Sequence, residues 1–234
     1  MGEDGRAPAQ LPLELPLAPR LSRDDFLSAP SNAAALAMVD RWPDWPDRIL
    51  TLAGPPGSGK SHLLSIFSAR AGALAADPAD LPSLAALAEA APSAIALDAI
   101  ERLRDETALF HLLNYAVEHR VFVLMSARRP PTAADIRLPD LLSRLRRAPV
   151  IEIGAPDDDL MRAVLDKLFR DRQLLVEAPA LAYAALRLER SLDAARAFVA
   201  ALDREALARG RPATRALAAE VLEGFGAPEA GKED

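Results

Sequence analysis

Cysteine is absent from the 234 residues, and histidine nearly so, with only His62, His111 and His119. Disulfides, thiolate metal sites and a cysteine nucleophile are thereby excluded, and three histidines leave little room for a zinc enzyme. Long apolar runs are also missing. None approaches the roughly 18 residues of a membrane span, and the N-terminus lacks the positively charged start and apolar core of an export signal. The chain is expected to stay in the cytoplasm, with no membrane partner. Nor is there an excess of positive charge: 28 Lys and Arg stand against 34 Asp and Glu, for a formal net charge of -6. Bulk coating of DNA is disfavoured, although a local basic patch remains open. What is present is a chain 50% hydrophobic and 26% charged, enough for one modest domain with an appendage.

Residues 1–20 carry Pro8, Pro12, Pro16 and Pro19, too many for a helix, and read as an extended tail. Asn32 is positioned to N-cap an apolar helix over 33–39. The segment Trp42-Pro43-Asp44-Trp45-Pro46-Asp47 must be a loop, its two indoles covering core edges. Four short apolar runs, 49–53, 94–97, 121–126 and 150–153, look like buried parallel strands, with a further short strand near 73–75. They alternate with helical spacing such as Leu63, Leu64 and Phe67, which implies crossover connections and an α/β fold with a parallel sheet flanked by helices. After Gly154 the strands stop. Asp157, Asp158 and Asp159 open a helix over 160–170, and three more helices are predicted near 178–188, 191–209 and 213–224. The division is a tail at 1–20, a core at 21–154, a small all-α domain at 155–226 and a polar tail at 227–234.

Gly54-Pro55-Pro56-Gly57-Ser58-Gly59-Lys60-Ser61 has the spacing of the phosphate-binding loop, between a strand and a helix. Its glycines let backbone N–H groups turn toward phosphate oxygens, and the helix start adds its positive dipole end. Chance produces this pattern in roughly one chain of this size in a hundred, and the strand–loop–helix context lowers that further. ADP or ATP with Mg is the expected cofactor: Lys60 at the terminal phosphates, the Ser61 hydroxyl on the metal, and Asp98, at the end of the second run, holding the metal directly or through water. Many NTPases place a second carboxylate straight after that acid to activate water. Here the position is Ala99, and Glu101 reads as a solvated residue at a helix start, so binding is better supported than fast hydrolysis. Ser126, at the tip of the third run, is a polar group able to reach a terminal phosphate or the water. Arg144, Arg146 and Arg147 cluster before the fourth run, and a guanidinium inserted by a neighbouring subunit stabilises phosphoryl-transfer charge.

The order of these parts resembles the DnaA/Hda group of AAA+ proteins, the bacterial replication initiator and its regulatory inactivator, over residues from about 10 to 224. The resemblance is carried by Asp25-Phe26-Leu27 with Ser31-Asn32, by the phosphate loop followed by His62-Leu63-Leu64, by Leu97-Asp98-Ala99-Ile100-Glu101, by Ser126 with Arg129-Pro130-Pro131, and by Leu138-Pro139-Asp140-Leu141-Leu142-Ser143-Arg144. Two features bring it closer to Hda. The sequence stops after the small helical domain, where the initiator continues into a DNA-reading module, and Gln10-Leu11-Pro12-Leu13, with Leu15, is similar to Hda's clamp-binding peptide.

The resemblance implies an AAA+ core with a helical lid and weak intrinsic ATPase activity. Nucleotide would lie on Gly54, Pro55, Pro56, Gly57, Ser58, Gly59, Lys60 and Ser61, with Asp98 and His62, the latter in a packing role. Ser126 would be the core sensor and Arg144 a trans-acting arginine finger. Asp193 stands where the group has its lid Arg, so Arg196 or Arg190 would substitute. The implied partners are DnaA and the DNA polymerase III sliding clamp (β subunit), with DNA reached only through the clamp. The implied function is negative regulation of replication initiation, by stimulating hydrolysis of DnaA-bound ATP at the nucleoid or replisome. An alternative is a free-standing AAA+ ATPase of helicase-loader or transposition-helper type; a third is a scaffold whose nucleotide only stabilises the fold.

Overall fold

The short apolar runs become strands: β1 (Ile49–Ala53), β2 (Leu74–Ala76), β3 (Ala94–Leu97), β4 (Phe122–Ala127) and β5 (Val150–Glu152). They form one parallel sheet in the order β2-β3-β4-β1-β5. The computed structural model describes residues 21–210 and 212–225; the clamp-type segment Gln10, Leu11, Leu13 and Leu15 lies outside them. Every residue of β1 and β3 is buried, so both faces of the sheet are covered, as parallel sheets require. The covering helices are α1 (Ala33–Asp40), α2 (Lys60–Ala71), α3 (Leu84–Ala90), α4 (Glu106–Glu118) and α5 (Pro139–Arg147).

Strand periodicity decides which residue faces which layer. Ile95, Leu97, Val123 and Met125 pack with Leu87, Leu112, Leu113, Leu141 and Leu145 of α3, α4 and α5. Their alternates Ala94, Ala96 and Leu124, with Leu50 and Leu52, pack with Leu36, Val39, Leu63 and Phe67 of α1 and α2. Each such Leu or Phe contributes roughly 1.5–3 kcal/mol by burial. The two indoles cover an edge of the second layer, Trp45 stacked on Phe67 with ring centroids 5.1 Å apart and Trp42 edge-on to the same ring.

Asn32 differs from the sequence expectation. It precedes α1, but its side chain does not cap that helix. The amide accepts from Ala29 N at 2.9 Å and donates to Leu27 O at 3.0 Å, because the preceding turn supplies both a donor and an acceptor within its reach. The residue ties down the segment before the helix instead.

Four further helices follow the sheet: α6 (Asp158–Asp171), α7 (Ala178–Arg187), α8 (Leu192–Arg209) and α9 (Arg215–Phe225). Asp157 caps α6 by accepting from Leu160 N at 2.8 Å, and Gly210 ends α8 at φ 58°, the left-handed conformation that glycine adopts without steric cost. Their apolar stripes enclose a cluster of their own that includes Met161, Phe169, Ala184, Phe198, Leu202 and Ala218. Among the contacts that join this unit to the core, Leu192 N donates to Gly57 O at 2.8 Å, and Lys167 pairs with Asp25 at 2.8 Å. No helix among the described residues is long and apolar enough to cross a membrane.

Candidate nucleotide site

The phosphate loop leaves the C-terminal end of β1 between its two neighbouring strands, where ligands of open parallel sheets collect. Gly54 N donates to Ala127 O at 3.1 Å and Ile153 N to Ala53 O at 2.7 Å, which anchors the start of the loop on both sides. Gly57 and Gly59 have φ of 67° and 100°. At Gly57 a Cβ would lie 2.0 Å from Ser191 Oγ, so glycine is needed for the turn and also for the approach of the helical unit. Gly59 precedes α2 without side-chain capping; the first-turn N–H groups are left for an anion.

Lys60 is 9% exposed. Its ammonium donates to Gly54 O at 2.8 Å and Pro55 O at 2.7 Å, and its third proton has only Ser58 Oγ, at 3.4 Å. Two carbonyls thus aim the group and one donor stays weakly engaged. Burial lowers the pKa of Lys60, opposed by Glu101, Asp98 and Asp193 in that order. An oxyanion bound there would raise it again. Ser61 follows in the first turn of α2, exposed. The donor set fits a nucleotide polyphosphate, and Ser61 and Asp98 are the oxygen groups that would hold its magnesium.

Asp98 follows β3, and β4 lies alongside. Ser126, fully buried, donates its hydroxyl to Asp98 Oδ1 at 2.5 Å and accepts from Ala99 N at 2.8 Å. With its one proton on Asp98, Ser126 orients that carboxylate in this arrangement and has no proton left for a phosphate. Ala99 adopts φ 61°, which turns the chain sharply after Asp98. Glu101, read from the sequence as a solvated residue, forms an ion pair with Arg128 Nε at 3.2 Å.

Beside the loop, between the segment before α1 and helices α6 and α8, lies a cavity of about 410 Å³. Phe26, Leu160, Val164, Leu192, Ala197 and Ala200 give it apolar walls, and Lys167, Asp171 and Arg196 line it too. Its size and mixed lining suit a small planar ligand group. His62 also lines it, 7% exposed, its Nε2 2.8 Å from Ser22 O and its ring edge-on to Phe26. Burial lowers the pKa of His62, so the neutral ring donates Nε2–H to that carbonyl. Sequence reading missed this cavity, because its walls are ordinary apolar residues far apart in the chain; Asp25-Phe26-Leu27 was the one available signal. Arg196 meets Asp193 at 2.9 Å, whereas Arg190 pairs with Asp158 of α6, at 3.0 Å.

Arg144 is not brought to this site. It lies in the last turn of α5 in a second groove, with Phe110, Asp140 and Arg147, that shares no lining residue with the cavity. The guanidinium is 6.0 Å from the Phe110 ring centroid and meets no carboxylate within ion-pair distance among the described residues. His111 and His119 lie on the neighbouring α4 and at its C-cap.

No protein-family model matches the sequence. Domain III of the replication initiation protein DnaA from Thermotoga maritima is similar in structure, with a TM-score of 0.74 at 18% identity, over 91% of this chain and 100% of that one. A RuvB variant from the same organism gives 0.69 at 17% identity, over 92% of this chain and 75% of that one. The fold is the AAA+ fold. A DnaA structure bound to AMPPCP and single-stranded DNA gives 0.66 at 16% identity, over 83% of this chain and 69% of that one. Within that fold, residues from β1 to β5 form the sheet and α6 to α9 the helical lid, which meets the phosphate loop through the Leu192–Gly57 bond.

Proposed function

We propose that this chain is an Hda-like regulator of replication initiation. It binds an adenine nucleotide on residues 54–61, with the base in the cavity beside His62, and docks on the DNA-loaded sliding clamp through Gln10, Leu11, Leu13 and Leu15. It presents Arg144 to ATP held by DnaA. Hydrolysis in DnaA then converts the initiator to its ADP form.

The observation that carries the reading is Arg144 itself, a guanidinium without a carboxylate partner among the described residues, in a groove separate from the chain's own phosphate loop. An arginine in that setting suits charge supplied by another molecule, and a trans arginine is worth about three to five decades of rate in well-studied GTPases. The likeness in fold to DnaA domain III agrees with an AAA+ partner of similar shape. The Glu101–Arg128 pair favours a second reading, a free-standing AAA+ ATPase acting on DNA.

The test is turnover of DnaA-bound ATP with this protein, clamp and DNA, each omitted in turn. Stimulation is expected to require all of them and to fall to the unstimulated rate with Arg144→Ala. Full stimulation by Arg144→Ala overturns the finger; stimulation that survives omission of the clamp overturns the docking. Turnover by the chain alone, accelerated by single-stranded DNA, supports the second reading.

A further inference from the structure

The lid pairs most of its arginines with acids. Arg162, Arg170, Arg172, Arg190, Arg196 and Arg209 each meet a carboxylate. Arg187, the last residue of α7, and Arg215, the first of α9, differ: among the described residues neither comes within ion-pair distance of one. Both are drawn to a single ring, that of Tyr183, with their guanidinium carbons 3.8 and 5.3 Å from its centroid. The two helices pack against each other, so it is the fold that assembles this cluster. The ring attracts each cation but cancels no charge. Arg215 also stands at the positive end of the α9 dipole, where a cation is disfavoured, and no acid in the first turn offsets it. Two uncompensated positive charges are thus held together on a chain whose formal net charge is -6, a departure from local preference of the kind that proteins keep at functional surfaces. The arginines of α5, by contrast, share their groove with Asp47 and Asp140. Neither α7 nor α9 lines the cavity beside the phosphate loop, so this surface is separate from the nucleotide site.

We propose that Arg187 and Arg215 form a contact for the phosphate backbone of duplex DNA. A guanidinium presents parallel N–H donors that match two phosphate oxygens. The Tyr183 ring is already engaged by both guanidiniums and is not free to stack a base, which is how single strands are held. Backbone contact remains, and it carries no sequence information. This is the local basic patch that the acidic composition left open. Two arginines bind weakly by themselves, and the contact gains from any tether that holds the chain near DNA.

The experiment uses the full chain and a labelled duplex of about 20 base pairs, its anisotropy followed from about 20 to 150 mM salt. Neither DnaA nor clamp is present, so the outcome is independent of the proposed function. Binding is expected at low salt and should fade as salt rises. Arg187→Gln and Arg215→Gln should each weaken it about tenfold and reduce the slope of log affinity against log salt by about one, equally on two unrelated sequences. Arg187→Lys, which keeps the charge, should retain the slope. Arg204→Gln removes another exposed lid arginine that meets no carboxylate within ion-pair distance among the described residues, and should change neither quantity. Melting temperatures matching the wild type would confirm that the variants fold. A wild type that binds no duplex at low salt, Gln variants that bind as the wild type does, or an equal loss from Arg204→Gln each overturns the proposal. So does tighter binding to a single strand of the same length or to polyglutamate, which would assign the patch to another anion.

Discussion

A neutral, buried imidazole makes His62 a source of pH dependence. Burial is the main cause of its lowered pKa; Arg196 and Lys167 act in the same direction, while the Ser22 carbonyl and Asp25 act against them. The unfolded chain therefore takes up a proton below the ordinary value of 6.5 that the folded protein refuses. Stability is full above that value and falls as the pH drops toward the lower folded pKa. The urea midpoint of the wild type should decline between pH 7.5 and 5.5, and that of His62→Gln, which keeps a donor for Ser22, should decline less; equal declines would remove His62 as the cause. At this scale the phosphate loop was legible because its chemistry fixes residue types: left-handed φ demands Gly57 and Gly59, and phosphate demands Lys60. The Glu101–Arg128 pair was not legible: its two members are 27 residues apart in the chain and are brought near by strand pairing.

At the level of elements, α5 is held from outside. Leu138 precedes it without a side-chain cap, and the Glu106 carboxylate of α4 accepts instead from Arg137 N, at 3.1 and 3.0 Å, and Leu138 N, at 2.6 Å. One turn further along α4, Phe110 lies under the Arg144 guanidinium. The same helix thus fixes the start of α5 and the arginine at its end. Glu106→Ala should destabilise the fold by about 1–2 kcal/mol, the usual loss for a helix cap, read as a lower denaturant midpoint at unchanged slope. A change below about 0.5 kcal/mol, the range of ordinary surface substitutions, would show that the α5 amides find water as readily. Periodicity and turn residues revealed most elements, including the acidic start of α6, though not the cap that Asp157 supplies there. They left β2 blurred, since three residues beside Asp77-Pro78 give little pattern, and they could not show a cap supplied across 31 residues of chain.

The molecule as a whole is a sheet unit, with an apolar cluster on each face, and a lid with a cluster of its own, with a ligand-sized cavity where the two units meet. Both were expected from the change in texture after Gly154; the cavity between them depends on how the lid docks, through Leu192 and Lys167, and no single segment encodes that. On the proposed reading a nucleotide touches both units, the phosphates on the loop and the base against α6 and α8. Binding should then stabilise them together. At a free concentration of about 100 times Kd the gain is about 2.7 kcal/mol, a rise in Tm on the order of 5–10 °C for a chain of this size. Ala200→Trp puts an indole among the cavity walls without touching the loop. It should sharply reduce the Tm rise given by ADP while leaving the ligand-free Tm close to that of the wild type, and Lys60→Ala should reduce the rise by removing the phosphate contact. An ADP-dependent rise that Ala200→Trp leaves intact, but Lys60→Ala abolishes, would mean that the base lies outside the cavity and the lid senses the phosphates alone.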